Sequence, residues 1–124
     1  MKAIYKITNN ITGESYIGET TNVMNRIKGH FNPNINGLDR LHYDILIYGQ
    51  DNFSWEILKE LPINTDKKTR LNIESYYIDY YDTFNNGYNN TYLDDIGKQH
   101  WKAKDNTNYS EMYKNRFNLT YHLQ

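Results

Sequence analysis

The chain has 124 residues, of which 38% are hydrophobic, 15% aromatic and 23% charged, with a net charge of −1, two prolines, 13 tyrosines and no cysteine. That bounds it to one small domain with room for a tail, and it excludes disulfides, thiolate metal sites and thiol nucleophiles. No apolar run approaches the roughly 20 residues of a membrane span, and Met1-Lys2-Ala3-Ile4-Tyr5 opens on alternation rather than a signal peptide, so a soluble, cytoplasmic protein is expected. Residues 2–7 alternate polar and apolar side chains, as does Ser15-Tyr16-Ile17 after a Thr12-Gly13 turn, which predicts a β-hairpin. From Thr21 the period changes: Val23, Met24, Ile27 and Phe31 mark one face of a helix that stops before Asn32-Pro33. Leu38, Leu41, His42, Ile45, Leu46 and Tyr48 predict a second helix, ended by Gly49. Residues 53–58 read as a third strand, closed by Pro62. Thr65 or Asp66 then caps a third helix, which Leu71, Ile73, Tyr77, Ile78 and Tyr81 carry to about Asp82. The order β-β-α-α-β-α predicts an α+β fold, a small sheet with helices packed on it.

Charge gives no general advertisement for nucleic acid, since 14 basic side chains face 15 acidic ones. Its distribution is more informative. Residues 1–94 carry 9 Lys/Arg and 12 Asp/Glu, a balance of −3, whereas residues 95–124 carry 5 and 3, a balance of +2.

Two groups of residues sit where packing alone does not explain them. Glu74 lies three residues after Leu71 and four before Ile78, on the face that the apolar stripe should bury. A buried carboxylate calls for a metal ion, an arginine or a lysine beside it; the other reading is a stripe turned slightly, with Glu74 at its rim. Arg26 and His30 stand one helical turn apart, with Asn22 a turn earlier. Together they can clamp and protonate a phosphate, or they can form a plain solvated face. Tyr5 and Tyr16 share the hairpin, where tyrosines are ordinary packing residues.

In chain order, Ala3-Ile4-Tyr5, Tyr16-Ile17-Gly18, Arg26, His30, Glu74 and Gly87-Tyr88-Asn89 resemble the GIY-YIG nuclease domain, in particular the catalytic domain of phage-type homing endonucleases. The resemblance covers roughly residues 1–91 and leaves 92–124 as a basic, aromatic tail. It implies a three-stranded antiparallel sheet flanked by helices and a metal-dependent cut of a DNA phosphodiester, leaving 5′-phosphate and 3′-hydroxyl ends. It assigns catalytic roles to Tyr5, Tyr16, Arg26, His30, Glu74 and Asn89. Glu74 would hold Mg²⁺, with Mn²⁺ as a substitute, and Arg26 would stabilise the charged transition state. Tyr5, its proton affinity lowered by neighbours, would orient or deprotonate the attacking water, His30 would relay the proton, and Tyr16 and Asn89 would position. Two positions depart from the pattern. Ala3 stands for the usual glycine, and Glu19 places an acid near the substrate phosphate, where it is turned outward, biases substrate choice or slows the enzyme.

In the tail, the run Gly97-Lys98-Gln99-His100-Trp101-Lys102-Ala103-Lys104 precedes a helix start at Tyr109-Ser110-Glu111, and it loosely resembles DNA-binding modules appended to homing endonucleases. Lys98, Trp101, Lys102 and Lys104, with Lys28 on the first helix, are the expected DNA contacts; alternatively Trp101 lies on the core as a clasp. So short a tail implies modest site specificity, a targeting partner or a truncated relative; a transient dimer on DNA is a further partner reading. Other readings are a restriction or repair nuclease, a silent nucleic-acid-binding regulator and a protein-interaction module.

Overall fold

The sheet grows from a hairpin whose turn is set by Asn9: its side chain accepts from the backbone N–H groups of Ile11 and Thr12, and Gly13 takes the positive φ of 82° that the turn needs. In this computed structural model, which describes the backbone of residues 1–122 and side chains through residue 116, β1 (Ala3–Asn9) pairs antiparallel with β2 (Ser15–Thr20) on one side and β3 (Phe53–Glu60) on the other. The order is β2-β1-β3, with a bulge between Ile4 and Tyr5 against β3.

As the central strand, β1 is covered on both faces, so Ala3, Ile4 and Tyr5 are all fully buried. Strict alternation breaks at Ile4 for this reason. One core joins Ala3, Tyr5 and Ile7 to Val23 and Ile27 of α1 (Val23–His30) and Leu41 and Ile45 of α2 (Arg40–Tyr48). The other joins Ile4 and Ile17 to Leu61 and Ile78 of α3 (Lys67–Tyr80). Asn22, Asp39 and Asp66 cap the three helices by accepting from backbone N–H groups three residues on, and Gly49 ends α2 at φ 88°.

The tail is more structured than its sequence suggests. β4 (Thr91–Leu93) and β5 (Gln99–Trp101) form a second hairpin, and α4 (Tyr109–His122) follows. The hairpin turn is built by Asp94, which accepts from Ile96 and Lys98, with Gly97 at φ 83°. Leu93 N–H donates to Ser75 Oγ of α3, and the Phe84 and Tyr92 rings meet edge to face. Asn108 accepts from Glu111 N–H at the start of α4, which returns to α2 through Tyr109 on Tyr43 and through Leu38 N–H donating to Ser110 Oγ. Hairpin and helix are thereby tied to opposite sides of the sheet, and residues 102–108 cross between them. No described helix is long and apolar enough to span a membrane.

Candidate active site

Under the crossing lies a cavity of about 640 Å³. Tyr16, Arg26, His30, Glu74 and Asn89 line it from below, and Trp101, Lys102, Ala103, Lys104 and Asp105 line it from the tail. Five of the six residues assigned from the sequence therefore meet at one cleft. The sixth, Tyr5, sits directly behind it, with its hydroxyl 2.7 Å from His30 Nε2 and accepting a 3.4 Å bond from Arg26 Nε. Gly18 makes this possible, because a Cβ there would lie 2.3 Å from the Tyr5 Cζ and Oη. The strand glycine after Tyr16-Ile17 is thus a space for the Tyr5 ring.

Burial changes the roles expected for Tyr5 and His30. Tyr5 is fully enclosed, and enclosure first, then the neighbouring Tyr16, raises its pKa well above that of an ordinary phenol. Its proton affinity is raised where the sequence reading has it lowered, and its hydroxyl is committed to protein partners rather than to water. His30 is 3% exposed; burial, then the Arg26 charge, lower its pKa to about 4. It is a neutral ring at neutral pH, so it neither clamps a phosphate as a cation nor protonates one. Arg26 itself is exposed, its pKa raised by the bond to Tyr5, and it keeps its charge in the cleft.

Asn89 is buried with its amide spent on protein: Oδ1 accepts from Ile17 N–H at 2.8 Å and from Thr83 Oγ1 at 2.7 Å, and Nδ2 donates to Ile17 C=O at 2.8 Å. It pins the β2 backbone at Ile17, between Tyr16 and Gly18. The preceding glycine serves the same junction, since a Cβ on Gly87 would lie 2.5 Å from the Ser15 carbonyl, which accepts from Tyr88 N–H.

Glu74 is half-buried on α3, and burial, then the nearby Glu19, raise its pKa to about 7. Among the described residues it has no cation at ion-pair distance. Glu19 explains why. It pairs with Lys67 and, at 2.9 Å, with the buried Arg70, and so takes the cations of this wall. Burial would raise the Glu19 pKa, but the Lys67 and Arg70 bonds outweigh it and hold it below the usual carboxylate range. Glu19 is therefore neither turned outward to solvent nor part of the cavity lining.

Trp101 is 69% exposed, which rules out the clasp. Lys102 Nζ donates to the Gly87 carbonyl at 3.3 Å and lies over the Phe84 ring, whereas Lys104 is exposed at the cavity edge. Lys28 and Lys98 are exposed and lie outside the cavity lining. Asp39 and His42 line the cavity too, although the sequence reading took His42 as part of an apolar helix face. The available signal was a histidine three residues after an N-cap aspartate.

A fixed arginine, a pinned phenol, a neutral imidazole and an uncompensated carboxylate around one cleft form a site suited to charge stabilisation at a phosphodiester, the class of a hydrolytic nuclease. The family model of the GIY-YIG catalytic domain matches residues 1–89, and the chain belongs to that family. Among solved structures it is similar to the catalytic domain of the homing endonuclease I-TevI, with 26% identity and a TM-score of 0.62 over 72% of this chain and 97% of that one. A glutamate-to-alanine mutant of the catalytic domain of intron endonuclease I-TevI matches at 26% identity and a TM-score of 0.61, over 72% of this chain and 93% of that one. No curated protein matches the chain in sequence. The chain carries a nuclease domain of this family in residues 1–89, and the second hairpin and α4 lie beyond the family match.

Proposed function

We propose that the chain is a divalent-metal-dependent endonuclease of the homing type, from a phage or mobile element, that hydrolyses DNA phosphodiesters to 5′-phosphate and 3′-hydroxyl ends. The observation that carries this reading is the meeting of Arg26, Tyr16 and Glu74 at one cleft with the family fold beneath them. The I-TevI domains to which the chain is similar are named as endonucleases, which supports DNA as the substrate.

Glu74 fits a hard divalent cation. It is a carboxylate held in low dielectric without a partner cation, and such a group is stabilised when a metal replaces the missing charge. No cluster of three His, Cys, Asp or Glu side chains offers a closed cage among the described residues, so Glu74 would be the protein's ligand and water and phosphate oxygens would supply the rest. Mg²⁺, or Mn²⁺ in its place, would lower the pKa of bound water and offset developing charge on the phosphate. Arg26, its Nε committed to Tyr5, has its terminal amino groups for the nonbridging oxygens. Tyr16 lines the cleft beside it and orients the phosphate. Asn89 keeps the Tyr16 backbone in place from behind. Trp101 and Lys104 offer a base-stacking face and a phosphate contact across the cleft.

The test is cleavage of supercoiled plasmid and of a single-stranded circle, with Mg²⁺, with Mn²⁺ and with EDTA. Metal-dependent cutting that Glu74→Ala and Arg26→Ala each lower by about 10³-fold or more is expected. Cutting that persists in EDTA, or that survives either substitution, refutes the reading.

A further inference from the structure

Asp39 and His42 are cavity residues that the chemistry above leaves unused, and they continue a hydrogen-bonded line that starts at Arg26. Arg26 Nε lies 3.4 Å from Tyr5 Oη, Tyr5 Oη 2.7 Å from His30 Nε2, His30 Nδ1 3.2 Å from His42 Nε2, and His42 Nδ1 2.6 Å from Asp39 Oδ1. The two imidazoles are nearly parallel, 14° apart.

The two ends of this line have fixed roles. A guanidinium N–H can only donate, and an ionised carboxylate can only accept. Asp39 is held ionised: burial would raise its pKa, but bonds from the His42 side chain and backbone outweigh it. Between the ends stand one phenol and two imidazoles, and burial, then the Arg26 charge, keep His30 neutral. With a neutral His42, which brings one proton as His30 and Tyr5 do, only one arrangement satisfies every link. Arg26 Nε–H donates to Tyr5 Oη, Tyr5 O–H to His30 Nε2, His30 Nδ1–H to His42 Nε2, and His42 Nδ1–H to Asp39 Oδ1.

We propose that Asp39 and His42 are positioning residues for the cleavage reaction, fixing His30 in its Nδ1–H tautomer so that Tyr5 donates to His30 and presents its oxygen lone pairs to Arg26. The effect is that Arg26 is held by an acceptor of fixed direction, with its charge aimed at the phosphate. It is the logic by which a carboxylate fixes an imidazole tautomer in a hydrolase triad, extended by one further imidazole and with the carboxylate, Asp39, at an exposed position. The fold supports the dyad from outside. Arg40, between its two members in sequence, grips Glu14 with both terminal nitrogens at 3.2 and 2.6 Å and donates to the Gly87 carbonyl at 3.0 Å, which fixes the first turn of α2 against the hairpin. His30, one partner of the dyad, has no freedom to turn away, since it is buried between the Tyr5 and Tyr16 rings and His42.

The role in cleavage rests on the nuclease reading, but the tautomer does not, and this separates the two. Long-range ¹H–¹⁵N correlation on labelled wild-type protein at neutral pH is expected to show both His30 and His42 in the Nδ1–H form. An Nε2–H form at His30 overturns the proposal. In nicking assays, His42→Leu, which leaves the His30 N–H without an acceptor, is expected to lower kcat by roughly 10- to 100-fold while KM for the plasmid stays within about twofold. His42→Gln, whose Oε1 can accept the same N–H, is expected to recover kcat to within about fivefold of wild type and to retain the His30 tautomer. A folded Gln variant as slow as the Leu variant overturns the positioning role. A wild type with the expected tautomers that cuts nothing would refute the nuclease reading and, with it, any catalytic use of the dyad.

Discussion

The two walls of the cleft are built on opposite electrostatic plans. On the wall made by β1, α1 and α2, hydrogen bonds run unbroken from Arg26 Nε through Tyr5, His30 and His42 to Asp39 Oδ1. On the wall made by β2 and α3, two carboxylates stand near each other and the cations are divided unequally: Glu19 holds Lys67 and Arg70, and Glu74 is left with a raised pKa. The contrast separates two contributions to a phosphodiester site. A satisfied network costs nothing to reorganise when charge develops, and so serves orientation. An unmet buried charge is a liability until a cation arrives, and so serves recruitment. Glu19 acts on the second wall: by pairing with Lys67 and Arg70 it leaves Glu74 without an ion-pair partner among the described residues.

Breaking the first wall is expected to have the largest effect, and the least conspicuous residue does it. A Cβ on Gly18 would overlap the Tyr5 ring at 2.3 Å, and that ring is fully buried with its hydroxyl bonded on two sides. Gly18→Ala must therefore displace Tyr5 and release both Arg26 and His30. Overpacking of this kind costs about 1–3 kcal/mol. Cleavage is expected to fall by about 100-fold or more in a variant that still folds, because orientation of the arginine is lost. A folded Gly18→Ala protein with near wild-type nicking would show that the first wall does not need its present geometry.

The second wall can be sharpened without any substrate. Burial pushes the Glu74 pKa up to about 7 from an ordinary 4.5, so the folded state holds its proton more tightly than the unfolded chain. Stability from this group is full below the unfolded value and is lost as pH rises through the folded one; above that, the ionised carboxylate burdens the fold. Glu74→Gln is accordingly expected to match wild type at pH 4 and to exceed it at pH 8 by about 1–3 kcal/mol, measured as urea midpoints in EDTA. Adding Mg²⁺ at pH 8 is expected to narrow that gap by stabilising wild type alone. Equal midpoints at pH 8 would mean that Glu74 is compensated by a cation after all.

Most of the first wall's ingredients were visible in the sequence, but its wiring was not. The period of two in the hairpin and the apolar spacing in α1 and α3 locate the elements, because each has one face to bury. The motif residues then fix which side chains converge. What periodicity cannot carry is solvent access. Tyr5 and His30 read as reactive groups, yet both lie under the lip of the cleft, where desolvation reverses the shift expected for Tyr5 and keeps His30 neutral. His42 was hidden for a related reason: a histidine at an apolar position looks like packing until its partner three residues earlier is seen to be a cap whose second lone pair faces the ring. The second hairpin escaped notice because three-residue strands are too short to show a period.

The smallest expected effect concerns the tail, which roofs both walls. Trp101 is 69% exposed and Lys104 is exposed, whereas Lys102 is tied to the Gly87 carbonyl. Exposure means that removing the indole costs the fold little, so Trp101→Ala should leave the thermal midpoint nearly unchanged. Stacking on one base contributes about 1 kcal/mol at such a site, so affinity for a labelled oligonucleotide is expected to fall roughly fivefold, read by fluorescence anisotropy. Lys104→Ala is expected to lower the slope of log affinity against log salt by about one, the signature of one lost phosphate contact. Lys102→Ala should differ from both, lowering stability along with affinity, because its ammonium joins the tail to the Gly87 junction that Asn89 also secures. If Trp101→Ala lowers the midpoint and spares affinity, the roof is structural and substrate is held by the two walls alone.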